Sequence, residues 1–366
     1  MQKKLIALAI AAATSGAVFA QTNVTIYGNV DMGAMFRQGH NGTVANGQSQ
    51  YSLQSSSSLS YIGFKGVEDL GNGTKALFDL QYRISPDTST GLSTAGHQYV
   101  GLTGGFGTVV AGYLDGIRYG IYGKYNPFGN YSIGSLTSMT TQYDRAANAL
   151  AYISPAFAGF TVILATATNT QGAEGSLNTV HSPMTAPTRG NNGDDRLLSA
   201  NLIYANGPLS IDLDYETTRA VGYDKDRLYV ATTGASYDFG AVKVSGVYDV
   251  IKGDVNSFIG GNAVGPLLGV PAGQRYDRRN WFVGATVPLG KFSVLGSFGQ
   301  VKDKTVSNAD AWKIGVGARY ALSKRTELYA DYAHIKNDSA AGYSIGNNIV
   351  AGVGVNGLAM GMKHSF

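Results

Sequence analysis

The chain has 366 residues, of which 50 are Gly, 23 are Tyr and none is Cys. Its 28 basic and 24 acidic residues give a net charge of +4, too even a balance to indicate a nucleic-acid partner. The absence of Cys excludes disulfides and thiolate metal sites, and the lack of an uninterrupted apolar run of about 18 residues beyond the N-terminal segment excludes transmembrane helices.

The first 20 residues have the pattern of a secretory signal peptide. Lys3 and Lys4 precede an apolar segment from Leu5 to Ala13, and Val18-Phe19-Ala20 forms a small-residue cleavage site. We therefore assign residues 1–20 to a signal peptide and residues 21–366 to the mature domain. Removal of the two lysines leaves that domain with a net charge of +2.

From Val24 to Phe366, short segments alternate between apolar and polar residues, which is the period of strands with one apolar face. Seven short connections rich in turn formers lie at 68–73, 104–107, 154–159, 205–208, 238–240, 288–290 and 322–325. Longer polar connections lie at 39–50, 115–144, 169–195, 252–277 and 337–348. Short turns at one rim and long loops at the other are typical of outer-membrane barrels. The sequence therefore predicts an all-β, antiparallel transmembrane barrel of about sixteen strands around a water-filled lumen.

Alternation along the strands also predicts which side chains face lipid. In the third strand the predicted lipid-facing residues are Ala76, Phe78, Leu80 and Tyr82, and the predicted lumen residues are Lys75, Asp79, Gln81 and Arg83. Lys313 and Arg319 point inward by the same rule, and Asp212, Asp214 and Glu216 form a polar lumen wall. A soluble β-sandwich is the alternative, but it explains neither the terminal Phe nor the contrast between turns and loops.

The chain ends on an aromatic residue, Phe366, and every second position before it is bulky or apolar. This pattern predicts a last strand that ends at the chain terminus with one lipid-facing side. Because a free carboxylate cannot lie in the bilayer centre, Phe366 is expected at the membrane–water interface, where aromatic girdles surround such barrels.

Several motifs resemble the Gram-negative general porins, in particular the beta-proteobacterial kind. They are Val24–Gly28, Gly63–Gly71, the Ser154-Pro155 turn, Leu322–Tyr329 and Gly361–Phe366, which together span the mature chain. The resemblance implies a homotrimer of sixteen-stranded barrels in the bacterial outer membrane, each a passive channel for small hydrophilic solutes and ions. It implies contact with outer-membrane lipid and lipopolysaccharide, no cofactor, and insertion by the barrel assembly machinery, with Phe366 as the assembly signal. The third extracellular loop, here about Asp115 to Asp144, is expected to fold into the lumen.

Porins of this kind usually oppose arginines on one constriction wall to acidic residues of the third loop, which sets a transverse field. The resemblance places Tyr61 and Tyr113 at two of the arginine positions and Arg145 at the third. The loop segment Asn126–Gly129 lacks the carboxylate that enteric relatives carry, and the acids of the loop are Asp115 and Asp144 at its ends. Joint loss of arginines and acid is physically coherent, because losing one wall alone leaves unpaired charge in a narrow site.

Two interpretations of the tyrosines remain open. Tyr61 and Tyr113 form a nearly neutral constriction that binds an uncharged or planar permeant, or they fill space while other cations rebuild a basic cluster. Arg118 and Lys124 have the further alternative of being solvated loop charges. The predicted pore-lining set is Arg37, Tyr61, Lys65, Asp79, Arg83, Tyr113, Asp115, Arg118, Lys124, Arg145, Lys313 and Arg319.

The leading functional hypothesis is a passive porin. The alternatives are a substrate-preferring porin with a Tyr-lined constriction and a barrel whose loops act in surface adhesion. An enzyme is not predicted, since the five His residues are scattered without metal-ligand spacing and no Ser-His-Asp arrangement can be identified from sequence. Asp224-Lys225-Asp226 is compatible with a calcium-binding loop, although a solvated turn is the more usual explanation.

Overall fold

The computed structural model describes residues 24–40, 49–88, 91–92, 95–139, 145–168, 196–219, 227–254, 275–305, 307–345 and 353–366. The strands are β1 Thr25–His40, β2 Gln50–Gln54, β3 Tyr61–Gly71, β4 Thr74–Arg83, β5 Ala95–Gly104, β6 Gly107–Asp115, β7 Arg145–Ile153, β8 Phe160–Thr168, β9 Arg196–Asn206, β10 Leu209–Arg219, β11 Leu228–Asp238, β12 Lys243–Asp254, β13 Arg275–Leu289, β14 Phe292–Asp303, β15 Ala311–Ala321, β16 Thr326–Asn337 and β17 Val353–Ser365. An α-helix, α1, spans Ile117–Tyr125, and a short 3₁₀-helix spans Leu136–Met139. In the ranges described, no helix is long and apolar enough to cross a membrane.

The strands form one closed antiparallel sheet. From β3 onward each strand pairs with the next in sequence, and β17 pairs back onto β1, with Asn29 opposite Ser365 and Arg37 opposite Gly357. The short β2 pairs with the second half of β1 and β3 pairs with its first half, so these two segments occupy one position in the barrel wall. The predicted sixteen-stranded antiparallel barrel is therefore confirmed.

The wall is interrupted between β2 and β3, at residues 55–60, and the side chain of Asp31 enters the gap. Its carboxylate accepts hydrogen bonds from the backbone N–H groups of Ser56, Ser57 and Ser58 at 3.0, 3.2 and 2.9 Å and from the Tyr329 hydroxyl at 2.7 Å. A buried carboxylate is stable only when its oxygens are satisfied in this way. The Asp31 carboxylate thus joins β1, the serine segment (residues 55–60) and β16.

The seven predicted short connections all join neighbouring strands of the barrel: β3 to β4, β5 to β6, β7 to β8, β9 to β10, β11 to β12, β13 to β14 and β15 to β16. Both ends of the barrel chain lie at the same rim as these turns. Phe366 and Gly28 exchange two backbone hydrogen bonds of 3.1 Å each. The Phe366 ring lies directly over Gly28, where a β-carbon would overlap it.

The two faces of the sheet differ as the alternation predicts. On β14 the side chains of Phe292, Val294 and Phe298 are 52%, 44% and 38% exposed, so they form part of an apolar outer surface. On β10 the intervening Asp212, Asp214 and Glu216 point to the inner face and are buried. Buried polar residues on the inner face require a cover, which the segment after β6 provides.

Candidate functional site: the lumen and the β6–β7 segment

The residues after β6, here called the β6–β7 segment (residues 116–139), begin with α1. Within this helix Arg118, Ile121, Tyr122 and Tyr125 recur every three or four positions, so they share one face. That face is buried against the inner sides of β10, β11 and β12. The helix therefore lies along the wall on the side opposite the exposed apolar rows.

Arg118 and Tyr122 attach the helix to a single carboxylate on β12. The Arg118 guanidinium donates to Asp249 at 2.8 Å and to the Thr232 hydroxyl at 2.9 Å, and the Tyr122 hydroxyl also donates to Asp249. Asn280 donates to the other carboxylate oxygen of Asp249 at 2.8 Å. Burial alone would lower the pKa of Arg118, but the Asp249 carboxylate outweighs it and raises that pKa above its ordinary value. Arg118 is therefore a fixed cation within the attachment.

The end of α1 is held by β10 and β12. Lys124 lies 2.5 Å from Asp212, and the Tyr125 hydroxyl donates to the same carboxylate. Ser245 donates to the backbone carbonyl of Tyr125 at 2.5 Å. Both the side chains and the backbone of the last helical turn are thus bonded to the wall.

Beyond the helix the segment continues across β14, β15 and β16. The Ser132 hydroxyl donates to Asp331 at 2.6 Å, and Lys313 donates to the carbonyl of Ser135. The Phe128 ring lies so close to Gly317 that a β-carbon there would contact it. The segment therefore covers the inner faces of β10 to β16, which explains why their polar side chains are buried.

A second group of side chains lies on the inner side of the strands from β1 to β7. His97 links two acids, with Nδ1 2.9 Å from Asp115 and Nε2 3.4 Å from Asp79. Asp115 is also 2.9 Å from the Arg145 guanidinium, and Asp79 accepts a 2.5 Å hydrogen bond from the Tyr27 hydroxyl. The structure thus brings together three predicted pore-lining residues and adds Tyr27 and His97, which the sequence reasoning missed.

Tyr27 could have been found from its strand position. It lies opposite Gly63 in the register of β1 and β3, and a β-carbon at Gly63 would overlap its ring. A large residue opposite a glycine on an inward face indicates a side chain lying flat across the neighbouring strand. The residues around His97 gave no indication of its role. Its partners are Asp115, 18 residues away in sequence, and Asp79 on the preceding strand.

Tyr61 joins this second group. Its ring meets that of Tyr27 edge to face, with centroids 6.0 Å apart, and it lies in register with Arg83. From the helix, Tyr119 lies under the Arg145 guanidinium at 5.3 Å, and its hydroxyl donates to Tyr131 at 3.0 Å. Burial raises the pKa of Tyr119 above its ordinary value, so its phenol stays neutral.

Tyr113 makes no such contact with the residues that the structure describes. The register pairs it with Gln98, two positions from the pair formed by Val100 and Ala111, and Val100 is 61% exposed on the outer face. Gly112, with φ of +147°, interrupts the regular strand directly before it. A role for Tyr113 in the constriction stays a prediction.

Four of the predicted pore-lining cations are covered rather than open, which corrects that part of the prediction. Arg37, Arg118, Arg145 and Lys313 are 4%, 1%, 9% and 0% exposed. Arg37 donates to the carbonyl of Ile345, and the other three are held by the contacts given above. The alternation of side chains along each strand indicated the inward face correctly. It could not show that another part of the chain covers that face.

The remaining predicted residues differ in their accessibility. Arg319 pairs with Asp331 and lies 5.8 Å from the Phe128 ring. Lys65 lies 4.6 Å above the Tyr27 ring, and Arg83 is partly exposed. Asp144 and the Asp224-Lys225-Asp226 motif lie outside the described residues. Among the residues described, no three His, Asp or Glu side chains are grouped so that they could hold a metal ion.

A closed antiparallel sheet with an apolar outer face, a polar inner face and both ends of the barrel, Thr25 and Phe366, at the rim of short turns defines a membrane-spanning β-barrel with a lumen. A sequence profile described as Gram-negative porin matches residues 7–340. The chain belongs to this family.

Individual relatives agree with that assignment. The chain is 30% identical to outer membrane porin protein 32 of Delftia acidovorans, with both chains covered completely, and 27% identical to an outer membrane porin protein of Bordetella pertussis, over 92% of this chain and 95% of that protein. Among solved structures it resembles an anion-selective porin from Comamonas acidovorans, with 28% identity, a TM-score of 0.73, and coverage of 94% of this chain and 100% of that one. The protein is an outer-membrane porin, and its barrel is a channel for passive diffusion of small solutes.

Proposed function

We propose that the β6–β7 segment narrows the lumen and that the remaining opening lies between this segment and the inner faces of β3 and β4. The observation that carries the proposal is the one-sided attachment of the segment. Its contacts with Asp212, Asp249 and Asp331 lie on β10, β12 and β16. The side chains of Tyr61, Lys65 and Arg83 on the other wall are only partly buried.

The proposed constriction carries a small excess of positive charge. Asp79 and Asp115 each have two polar partners, whereas Arg83 and Lys65 have no carboxylate within ion-pair distance in the described residues. Fixed charge in a narrow passage selects ions of opposite sign. We therefore propose a mild anion preference, in line with the anion-selective porin that the chain resembles.

The assembled protein in this proposal is a homotrimer in contact with lipopolysaccharide. The barrel assembly machinery inserts it and uses the terminal Phe366 as its signal. The support is the family resemblance and the place of Phe366 at the rim of short turns, where it closes the barrel against Gly28. The exposed apolar outer surface suits contact with the acyl chains of outer-membrane lipid and lipopolysaccharide.

The experiment is conductance measurement in planar bilayers with a salt gradient. Purified protein should insert in steps of three ohmic channels, and its reversal potential should show a weak preference for chloride. Arg145→Ala should shift the reversal potential towards cations, because Arg145 holds Asp115 and its loss leaves that carboxylate unbalanced. A monomer without ohmic conductance contradicts the assembly, and strong cation selectivity of the unmutated channel contradicts the proposed constriction.

A further inference from the structure

The inner wall and the β6–β7 segment face each other with tyrosines. On the wall, Tyr27 and Tyr61 form an edge-to-face pair with centroids 6.0 Å apart and planes 67° apart. On the segment, Tyr119 and Tyr131 form a similar pair at 6.1 Å and 61°. Tyr119 is linked to the wall through Arg145, whose guanidinium lies 5.3 Å from the Tyr119 ring and 2.9 Å from Asp115. These four residues are called the tyrosine passage.

None of the four rings is fully buried, so they are not simply part of a packed core. Three of the four hydroxyls have identified hydrogen-bond partners: Tyr27 donates to Asp79 at 2.5 Å, and Tyr119 donates to Tyr131 at 3.0 Å. These bonds fix three of the rings in orientation, and the fourth, Tyr61, packs edge to face on Tyr27. Rings held in place lose little conformational freedom when they contact a second ring, which is favourable for stacking.

Directly after Tyr119 the backbone of α1 is open to solvent. On the side of α1 away from its buried face lie Gly120 and Gly123, both exposed. A β-carbon at Gly120 would meet nothing within 4 Å. Because glycine has no side chain, a flat molecule can approach the helix backbone at this position. A residue larger than glycine would block that approach.

The charge beside the tyrosine passage is positive. Arg83 lies in register with Tyr61, and in the described part of the chain it has no carboxylate partner and its buried Nε makes no hydrogen bond. Lys65 lies over the Tyr27 ring rather than on an acid. The neighbouring carboxylates, Asp79 and Asp115, are already bonded to Tyr27, His97 and Arg145. The cations are therefore the groups with capacity left for a ligand.

We propose that the tyrosine passage is a binding site for aromatic carboxylates, with the permeant's ring against Tyr61 and Tyr119 and its carboxylate paired with Arg83. A guanidinium binds a carboxylate through two parallel hydrogen bonds, and tyrosine rings stack on a planar ring. A neutral sugar leaves Arg83 without its counter-charge, and an inorganic anion makes no use of the rings. This proposal rests on the proposed constriction, and it specifies the class of solute that the channel passes preferentially.

The probe is benzoate, added to the trimeric channel in a planar bilayer while the chloride current is recorded. Cyclohexanecarboxylate is the matched control, because it has the same charge and nearly the same size but no aromatic ring. Benzyl alcohol supplies the ring without the charge. We expect benzoate to reduce the current at a concentration at least severalfold lower than either control compound.

Variants locate the site within the channel. Tyr61→Leu and Tyr119→Leu should each weaken benzoate block by about three- to tenfold, the range expected for loss of one aromatic contact. Arg83→Gln should weaken it by about tenfold, through loss of a charge-assisted hydrogen bond. Tyr248→Leu on the lipid-facing side of β12 and Arg325→Gln in the short turn between β15 and β16 are the matched controls and should leave the block unchanged.

The possible outcomes distinguish a failure of the proposed binding site from a failure of the proposed channel. Channels that conduct normally but are blocked equally by benzoate and cyclohexanecarboxylate overturn the aromatic site and leave the porin function intact. Equal block of the unmutated channel and all three variants also overturns it. Should a tyrosine variant fail to form heat-modifiable barrels, the comparison of the three compounds on the unmutated protein still decides the proposal. Absence of any conductance contradicts the proposed channel instead.

Discussion

The attachment of α1 to the wall through Arg118 and Asp249 makes a quantitative prediction. Both side chains are almost completely buried, at 1% and 0% exposure, and they meet at 2.8 Å. Replacing Arg118 by Met keeps much of the side-chain volume but leaves the Asp249 carboxylate buried without its cation. Breaking a buried ion pair in this way costs about 3–5 kcal/mol.

The lower end of that range applies, because Asp249 keeps its hydrogen bonds from Tyr122 and Asn280. A loss of about 3 kcal/mol raises the population of a detached helix by a factor on the order of 100. Detachment widens the passage and lets the segment move in it. Single-channel recordings of Arg118→Met should therefore show larger conductance and more open-channel noise. The folded barrel of this variant should also unfold at a lower temperature on heating.

Two comparisons make this prediction specific. Asp249→Leu combined with Arg118→Met removes both charges and should recover part of the lost stability. Lys363→Met breaks the Lys363–Glu327 pair, whose side chains are each 28% exposed at a separation of 2.6 Å, and should cost no more than about 1 kcal/mol. Conductance, noise and melting of Arg118→Met equal to those of Lys363→Met would refute the idea that the buried pair holds the segment.

Three further predictions concern the wall and the terminus. Tyr61→Arg places a second cation opposite Arg83 and should move the reversal potential towards anions in a salt gradient; an unchanged potential would show that residue 61 does not face the ion path. Gly63→Ala introduces a β-carbon that overlaps the Tyr27 ring, and the resulting strain should lower stability by about 1–3 kcal/mol, measured as a lower temperature of heat modification, whereas a neutral effect would mean that Tyr27 can move at no cost. Deletion of Phe366 removes two backbone hydrogen bonds to Gly28 and the ring above it, so outer-membrane levels should fall and unfolded protein should accumulate in the periplasm, and normal insertion of the shortened chain would contradict this.

Much of the barrel can be predicted from the sequence because its determinants are local. Strand alternation depends on neighbouring positions, and a lipid-facing charge is costly wherever it occurs, so the outward rows on β14 and β15 follow from the residues themselves. The turn at Gly71, Asn72 and Gly73 can likewise be predicted, because all three residues have positive φ and Gly and Asn tolerate that conformation. The strand number and the rim that holds the termini follow from counting such turns.

The lumen was predicted only in part, because its contacts are between residues distant in sequence. The alternation of side chains along β15 predicted the correct face for Lys313. Only the path of the β6–β7 segment decides that Ser135, 178 residues away in sequence, covers it. The same holds for Arg118 and Asp249, which are 131 residues apart. Which cations remain accessible is therefore a property of the tertiary structure.

The chain by itself determined the barrel: the number of strands, their two faces, the rim of the turns and the family are all fixed by periodicity and short motifs. Tertiary structure decided how the lumen is filled. It placed Asp31 in the gap at residues 55–60, packed Tyr27 of β1 against Tyr61 of β3, and set Tyr119 of α1 against Arg145 of β7. The physical reason is that a two-residue period specifies a direction for each side chain but not the partner it meets, and the partner is set by how the closed sheet and its inner segment pack.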